Sequence, residues 1–580
     1  MVWKGLETMG EYLSKLDKME DTLVGEVSGP RLMDYTQGIA RWVRVSGTQD
    51  EVESMKYVGK VLEGFGYKTK LTFHPGFISV PVRASLELES PEEISFECIT
   101  ISFAPSTPAT GLVGEVAISS GPVIEGKVVL TKGLPDSYEI LNFQKFGAKA
   151  VIFAQDECLH KYACSPIWGA PTEETEGLLP RIPVVSITRK DGETLERFLK
   201  DGRARVRIET LVDTGWRDIP VLEAEMPAAA SDKFLLFSCH IDSWDFGAMD
   251  NGAANATAIE VARVLAAKRE YWQRGLRLAF WAGHSQGKFA GSSWYADHHF
   301  EELEKKCIGH IYVDSTGGKD AVVITEAPVM PQTWQLAADV IRKQTGENFV
   351  GKQIGHYADQ SFFGVGLTSV FGTFSEQDAE KNRHVLSFKT GSDDGRAGGL
   401  GWWWHTCHDT VDKVDEANLV RDTKVYTATA WRLLTLPVLP YDFRRAVVDM
   451  EQTVRGLQQG LKGRFDLGSL AARITILGEM LKDFYAGIKE IAEPGTEADR
   501  ANEKLLRLSH RIVRVTFHDK DCFGFDLSGP MYPIPSLAKG RKLAKVTEKS
   551  YRYYVLATEL QRGCNRVMHH LNDAMDIVKE

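Results

Sequence analysis

The sequence predicts an α/β protein: a mixed, mostly parallel central sheet flanked by helices, preceded by an inserted β-rich domain and followed by a helical bundle. Three textures carry that reading. Between 223 and 437 short apolar runs alternate with helical patterns ("FLLFS", "ATAIEVARVLAAK", "LRLAFWA", "SSWYADHHFEELEKK", "IGHIYV"), the order that a parallel sheet with crossover helices requires. Between 81 and 222 the runs are shorter and richer in β-branched residues ("GKVVLTKG", "AKAVIFAQ", "RIPVVSITR", "RARVRIETL"), separated by Gly and Pro turns, which predicts a small β-rich domain. From 438 to 580, "VVDMEQTVRGLQQGLKG", "LAARITILGEMLKDFYAGIKEIA" and "SYRYYVLATELQRGCNRVMHHLNDAMDIVKE" repeat apolar residues every three or four positions, the spacing of a bundle. The first 80 residues read as helix and loop. Met55, Val58, Val61 and Leu62 share one helical face that stops at Gly64 and Gly66, as glycines past a helix end do.

A chain of 580 residues exceeds what a single core serves, so several domains are expected. Its apolar fraction of 43% and charged fraction of 26% are those of folded globular protein. The net charge of −10 excludes the basic face that nucleic acid demands, and no apolar run is long enough to span a bilayer. The first twenty-odd residues are charged throughout and do not read as a secretory signal. Eight cysteines without paired spacing predict reduced thiols and a cytoplasmic setting.

In an open α/β sheet functional groups gather at the carboxyl ends of strands. Several potential metal ligands stand at such ends: His240 after "FLLFSC", His284 after "LRLAFWAG", and Asp314 closing "IGHIYVD". Asp250 lies in the glycine-bearing turn "GAMDNGAANA", and His405 in "GWWWHTCHDTVDKVD". Imidazole and carboxylate together form a set that Zn²⁺ accepts. The two oxygens of Asp250 suit a bridge between two ions, and Asp242 is placed to orient the ring of His240. Trp404, with Trp402 and Trp403, forms either an aromatic wall or core packing.

These stretches resemble a known family. "HIDSWDFGAMD" is similar to a signature of the zinc aminopeptidases in the branch of glutamate carboxypeptidase II and the transferrin receptor, and "IYVDSTGG" and "HTCHDTVDKVD" resemble two further motifs of that branch. The 81–222 region looks like its protease-associated domain, and 438–580 its helical dimerisation domain. The resemblance implies that His240, Asp250 and Asp314 hold one metal, Asp250 bridging to a second held with His405. It also implies a homodimer through the last helices and hydrolysis of a peptide-type amide bond. "HYADQSFFGVGLTSVF" resembles the segment lining the substrate pocket, which offers Tyr357 or His356 to an oxyanion.

One motif is broken. Where the family has two adjacent glutamates, a general base and a ligand of the second metal, this chain reads "FWAGHSQGKFAGSS". His284, Ser285 or Gln286 then faces the site. His284 replaces a glutamate as ligand, or acts as base near neutral pH, or leaves the second site empty, or with Ser285 simply caps the next helix. Cys407 is the nearest soft substitute ligand, while Cys239 reads as buried filling. Arg383 and Arg396 are basic residues that a carboxylate tail would attract. Three functions stay open: a metal-dependent hydrolase of amide bonds in a peptide or small molecule, the same metal site turned to another hydrolysis or an elimination, and a binding scaffold without catalysis.

Overall fold

A strand that is apolar on both faces must be covered on both. Phe234–His240, Gly275–Trp281 and Cys307–Tyr312 are buried at every position, and they form the middle of the central sheet. The computed structural model describes residues 2–121, 123–201, 204–381 and 396–580. Phe234–His240 runs parallel to Gly275–Trp281 on one side and to Cys307–Tyr312 on the other, and Ser369–Val370 continues the parallel set. Parallel pairing puts the carboxyl ends of all four at one edge. His240, His284 and Asp314 therefore arrive at the same edge from three separate stretches of chain.

Helices cover both faces. Ala254–Ala266 is rich in alanine and almost wholly buried, and it packs against Gly29–Ala40 and Glu416–Thr435. Gln49–Glu63 is the helix expected near the start, ending at Gly64. After the sheet domain, Phe443–Leu461, Gly468–Ile488, Thr496–Thr516 and Tyr551–Lys579 pack together. In Thr496–Thr516 the buried set includes Ala498, Ala501, Leu505, Leu508, Ile512 and Val515, a single stripe at helical spacing. Among the described residues no helix is long and apolar enough to cross a membrane.

Lys68–Ser90 and Arg205–Met226 pair antiparallel along nearly their whole length. One end of this ribbon joins the central sheet beside Gly275–Trp281. The other joins Leu112–Ile118, the first of four parallel strands completed by Val128–Lys132, Ala150–Ala154 and Val184–Ile187. The region between 81 and 222 has its own buried clusters and two helices, Ser137–Lys145 and Arg189–Asp201. Divisions drawn at 80 and 222 fall inside the two long strands, because a ribbon shared by two sheets keeps one composition along its length.

The helix Val2–Gly25 is pinned to Glu416–Thr435 by charge. Arg432 donates Nε to Glu20 Oε2 at 2.7 Å and Nη2 to Oε1 at 3.0 Å, and Lys343 Nζ sits 3.1 Å from the same carboxylate. Glu20 is 2% exposed, so Glu20→Ala leaves Arg432 uncompensated and is expected to cost about 3–5 kcal/mol. Urea unfolding followed by circular dichroism measures it, with Glu20→Gln losing less.

Candidate metal centre

The first ligand candidate is fixed by its own backbone. His240 Nδ1 lies 3.0 Å from the main-chain oxygen of Asp242, and a carbonyl only accepts, so Nδ1 carries the proton there. Nε2 is buried with no hydrogen-bond partner, 3.2 Å from Asp250 Oδ1 and 3.6 Å from Asp314 Oδ1. A ring nitrogen facing two carboxylates is tenable only around positive charge, a proton or a metal ion. Burial opposes a charged ring, but Asp250 and Asp314 outweigh it and hold the His240 pKa well above the usual imidazole range.

His405 mirrors this arrangement. Its Nδ1 lies 2.8 Å from the Lys161 carbonyl, and its Nε2 is 3.1 Å from Asp250 Oδ2. Asp250 thus offers one oxygen to each histidine, the geometry a bridging carboxylate needs. Burial would raise the pKa of Asp250, yet the two histidines keep it far below the ordinary carboxylate range. Asp314 accepts from Ser315 Oγ at 2.9 Å and from the Tyr312 hydroxyl at 3.1 Å. These four side chains and their donor chemistry fit Zn²⁺.

The turn carrying Asp250 is held from beneath. Asp409 accepts the amides of Met249 and Asp250, each at 2.9 Å, and burial pushes its own pKa up to about 7. Arg44, wholly buried, donates to the carbonyls of Ile241 (2.7 Å), Phe246 (2.8 Å) and Gly247 (2.9 Å), and burial pulls its pKa down to about 10. Gly247 has φ +52°, and a Cβ there would lie 2.3 Å from the Asp250 carbonyl oxygen. Only glycine fits.

Asp242 departs from its expected role. Its carboxylate is 3.8 Å from His240 Nδ1 and instead accepts the amides of His284 (3.0 Å) and Ser285 (2.8 Å). The backbone oxygen reaches the ring first, which frees the side chain to hold the loop where the glutamates are missing. In that loop His284 stacks on His240 with centroids 3.8 Å apart and planes 8° from parallel. His240, His284 and Asp314 each place a ligand atom within 4.8 Å of the others. His284 Nδ1 lies 2.8 Å from Asp359 Oδ2. Asp359 is fully buried and accepts from Ser292 Oγ at 2.6 Å and from the Tyr312 hydroxyl at 3.0 Å. The capping role for Ser285 is not realised, since the next helix starts at Ala290. Gln286 turns inward to Ser46 and Ser243.

The centre opens into a cavity of about 360 Å³ whose wall includes Tyr162, Trp244, Phe289 and Trp404 beside Asp250, His284, Asp314 and His405. Tyr357 lines it too, whereas His356 points away to the Phe517 carbonyl at 2.7 Å. Trp404 stacks on His405 at 3.4 Å, Trp403 joins the main core, and Trp402 is 37% exposed. Cys407 is exposed and Cys239 buried, its thiol donating to Asn255 Oδ1. Arg396 faces Asp378 on the surface. Arg383 lies outside the described residues. Sequence reasoning missed Asp359, Tyr312, Ser292, Arg44 and the part played by Asp409. Tyr312 had a signal, since it ends its strand two residues before Asp314, the spacing that keeps extended residues on one face.

Residues 222–430 match the model of Peptidase family M28. The chain is 24% identical over 280 residues to carboxypeptidase Q of Bos taurus, covering 44% of this chain and 58% of that protein. It is 24% identical over 316 residues to aminopeptidase YwaD of Bacillus subtilis (strain 168), covering 53% and 62%. The chain thus spans less than two thirds of these relatives' length. Among solved structures it resembles BSAP, a zinc aminopeptidase from Bacillus subtilis, with TM-score 0.53 and 19% identity over 71% of this chain and 95% of that one. It also resembles a peptidase M28 precursor from Shewanella amazonensis, with TM-score 0.54 and 19% identity over 73% and 97%. These likenesses establish the fold.

Because Asp409 anchors the turn of Asp250, Asp409→Ala is expected to weaken zinc binding about 10–100-fold, read by competition with a chelating dye. Asp412→Ala, on an exposed carboxylate three residues away, should leave it unchanged.

Proposed function

We propose, from the match of residues 222–430 to Peptidase family M28, that the chain is a metal-dependent hydrolase of peptide-type amide bonds in small substrates. The observation that carries this reading is the buried, unpartnered Nε2 of His240 set between Asp250 and Asp314 at the floor of a cavity. His240, Asp250 and Asp314 would hold one Zn²⁺, and Asp250 with His405 a second. When bound, zinc supplies Lewis-acid polarisation of the scissile carbonyl and lowers the pKa of the attacking water.

The chain's own residues do the rest. The Nδ1–H of His284 is directed at Asp359, which fixes the tautomer and leaves Nε2 to take a proton from water and return it to the leaving amine. His284 and Asp359 thereby replace the glutamate that the family resemblance leads one to expect. Asp242 holds the loop through two amides, and the Tyr312 hydroxyl stands between Asp359 and Asp314 with one proton to give to either. Tyr357 stands in the cavity wall to donate to an oxyanion, and Trp404 backs His405. The resemblance of residues 438–580 to a dimerisation domain supports a homodimer, which sedimentation reads directly.

The test starts from zinc-loaded protein and a panel of dipeptides. His284→Ala is expected to lower kcat by about 10²–10⁴ with zinc content unchanged. Asp359→Asn should lower it less and shift the pH profile. Zinc lost along with His284 would make that residue a ligand rather than the base. Zinc bound with every peptide left intact would overturn the peptidase reading in favour of a non-peptide reaction.

A further inference from the structure

The proposed hydrolase gives no part to Lys288, a charged residue of the cavity wall. Lys288 lies four residues after His284, in the loop that lost the glutamates, and lines the same cavity. Lys288 and Phe289 have φ of 50° and 74°, a left-handed backbone that side-chain-bearing residues rarely adopt. The loop is fastened there. The Lys288 carbonyl accepts the Gly169 amide at 2.6 Å, and the Phe289 ring packs on Trp168 at 4.5 Å.

The ammonium lies 5.7 Å from the ring centre of Tyr162 and 5.6 Å from that of Phe289. Among the described residues no carboxylate stands within ion-pair distance of it. The neighbouring lysines differ: Lys352, in the same wall, is 2.6 Å from Glu376, and Lys161 is 2.7 Å from Asp245. Asp250 and Asp314 face the histidines. Burial draws the Lys288 pKa down to about 8, so it stays largely charged at neutral pH. Two ring faces return only part of what a half-buried cation loses in hydration, and a ligand's anionic group would restore the balance.

We propose that Lys288 is a specificity-determining residue that pairs with a carboxylate of the bound molecule, so that the cavity prefers small acidic substrates to neutral ones. This rests on the cavity being the substrate site of the proposed hydrolase. A carboxylate is favoured over a phosphate because one ammonium without a carboxylate partner is offered and, among the described residues, no arginine lines the cavity, whereas phosphate sites ordinarily use a guanidinium fork or a nest of amides.

The experiment measures glutarate and its neutral diamide, glutaramide, by calorimetry on zinc-free protein, where no metal competes for the carboxylates. Glutarate is expected to bind about 10–100-fold tighter, Lys288→Met to abolish that preference, and Lys288→Arg to keep most of it. Equal melting temperatures and zinc contents check that the variants fold, and Lys288→Gln replaces the Met variant if it does not. Displacing glutarate with Ala-Ala against its amide, and with the amide of Asp-Ala against that of Asn-Ala, tells a terminal carboxylate from an acidic side chain. No Lys288-dependent difference in either pair overturns the proposal. So does a glutarate preference that is absent in the wild type or survives in Lys288→Met, or a variant that slows acidic and neutral peptides alike. A preference that persists while no peptide is cleaved supports the role of Lys288 and counts against the hydrolase reading alone.

Discussion

The centre depends on one carboxylate presenting both of its oxygens outward at once. Asp250 does so only because nothing beneath it competes for them: the turn's amides are taken by Asp409, and its flanking carbonyls by Arg44. A carboxylate left to itself in a glycine-bearing turn would cap its own backbone. Here a second buried acid takes that capping role, so the first is free to meet His240 and His405. Asp409 and Arg44 sit on the hidden side of the same turn, the acid accepting its amides and the guanidinium donating to its carbonyls.

The loss of the expected glutamates changes the electrostatics more than the geometry. Two carboxylates on the loop would have added negative charge at the cavity floor. In this chain the loop brings an imidazole and an ammonium instead, and the acid has moved to Asp359, behind His284 rather than in front of it. A pocket built this way is less negative where a substrate enters. His284 and Lys288, the proposed base and the proposed carboxylate partner, stand four residues apart in one loop and line one cavity.

Much of this was legible in the sequence, for a physical reason. Continuous apolar runs identify strands buried on both faces, and a polar residue directly after such a run must stand at a sheet edge. That logic reached His240, Asp314 and His284, and the motif spacing reached Asp250 and His405. It did not reach Asp359, which follows no strand and sits in an irregular segment, nor Arg44, whose partners are backbone carbonyls without any residue signature. Asp242 was identified as important for a contact its backbone makes instead. The divisions at 80 and 222 missed a ribbon that belongs to two sheets, since neither hydropathy nor turn residues mark where one sheet gives way to the other.

Residues 160–161 and 404–405 clasp one another. His160 Nδ1 meets the Trp404 carbonyl, the Lys161 amide donates to the His405 carbonyl, and His405 Nδ1 meets the Lys161 carbonyl. The ring of a candidate ligand in the main sheet domain is therefore aimed by a peptide unit from the inserted region. The stretch that matches the family model is not self-sufficient: cut out by itself, it would carry every proposed ligand but not the Lys161 carbonyl that His405 Nδ1 meets.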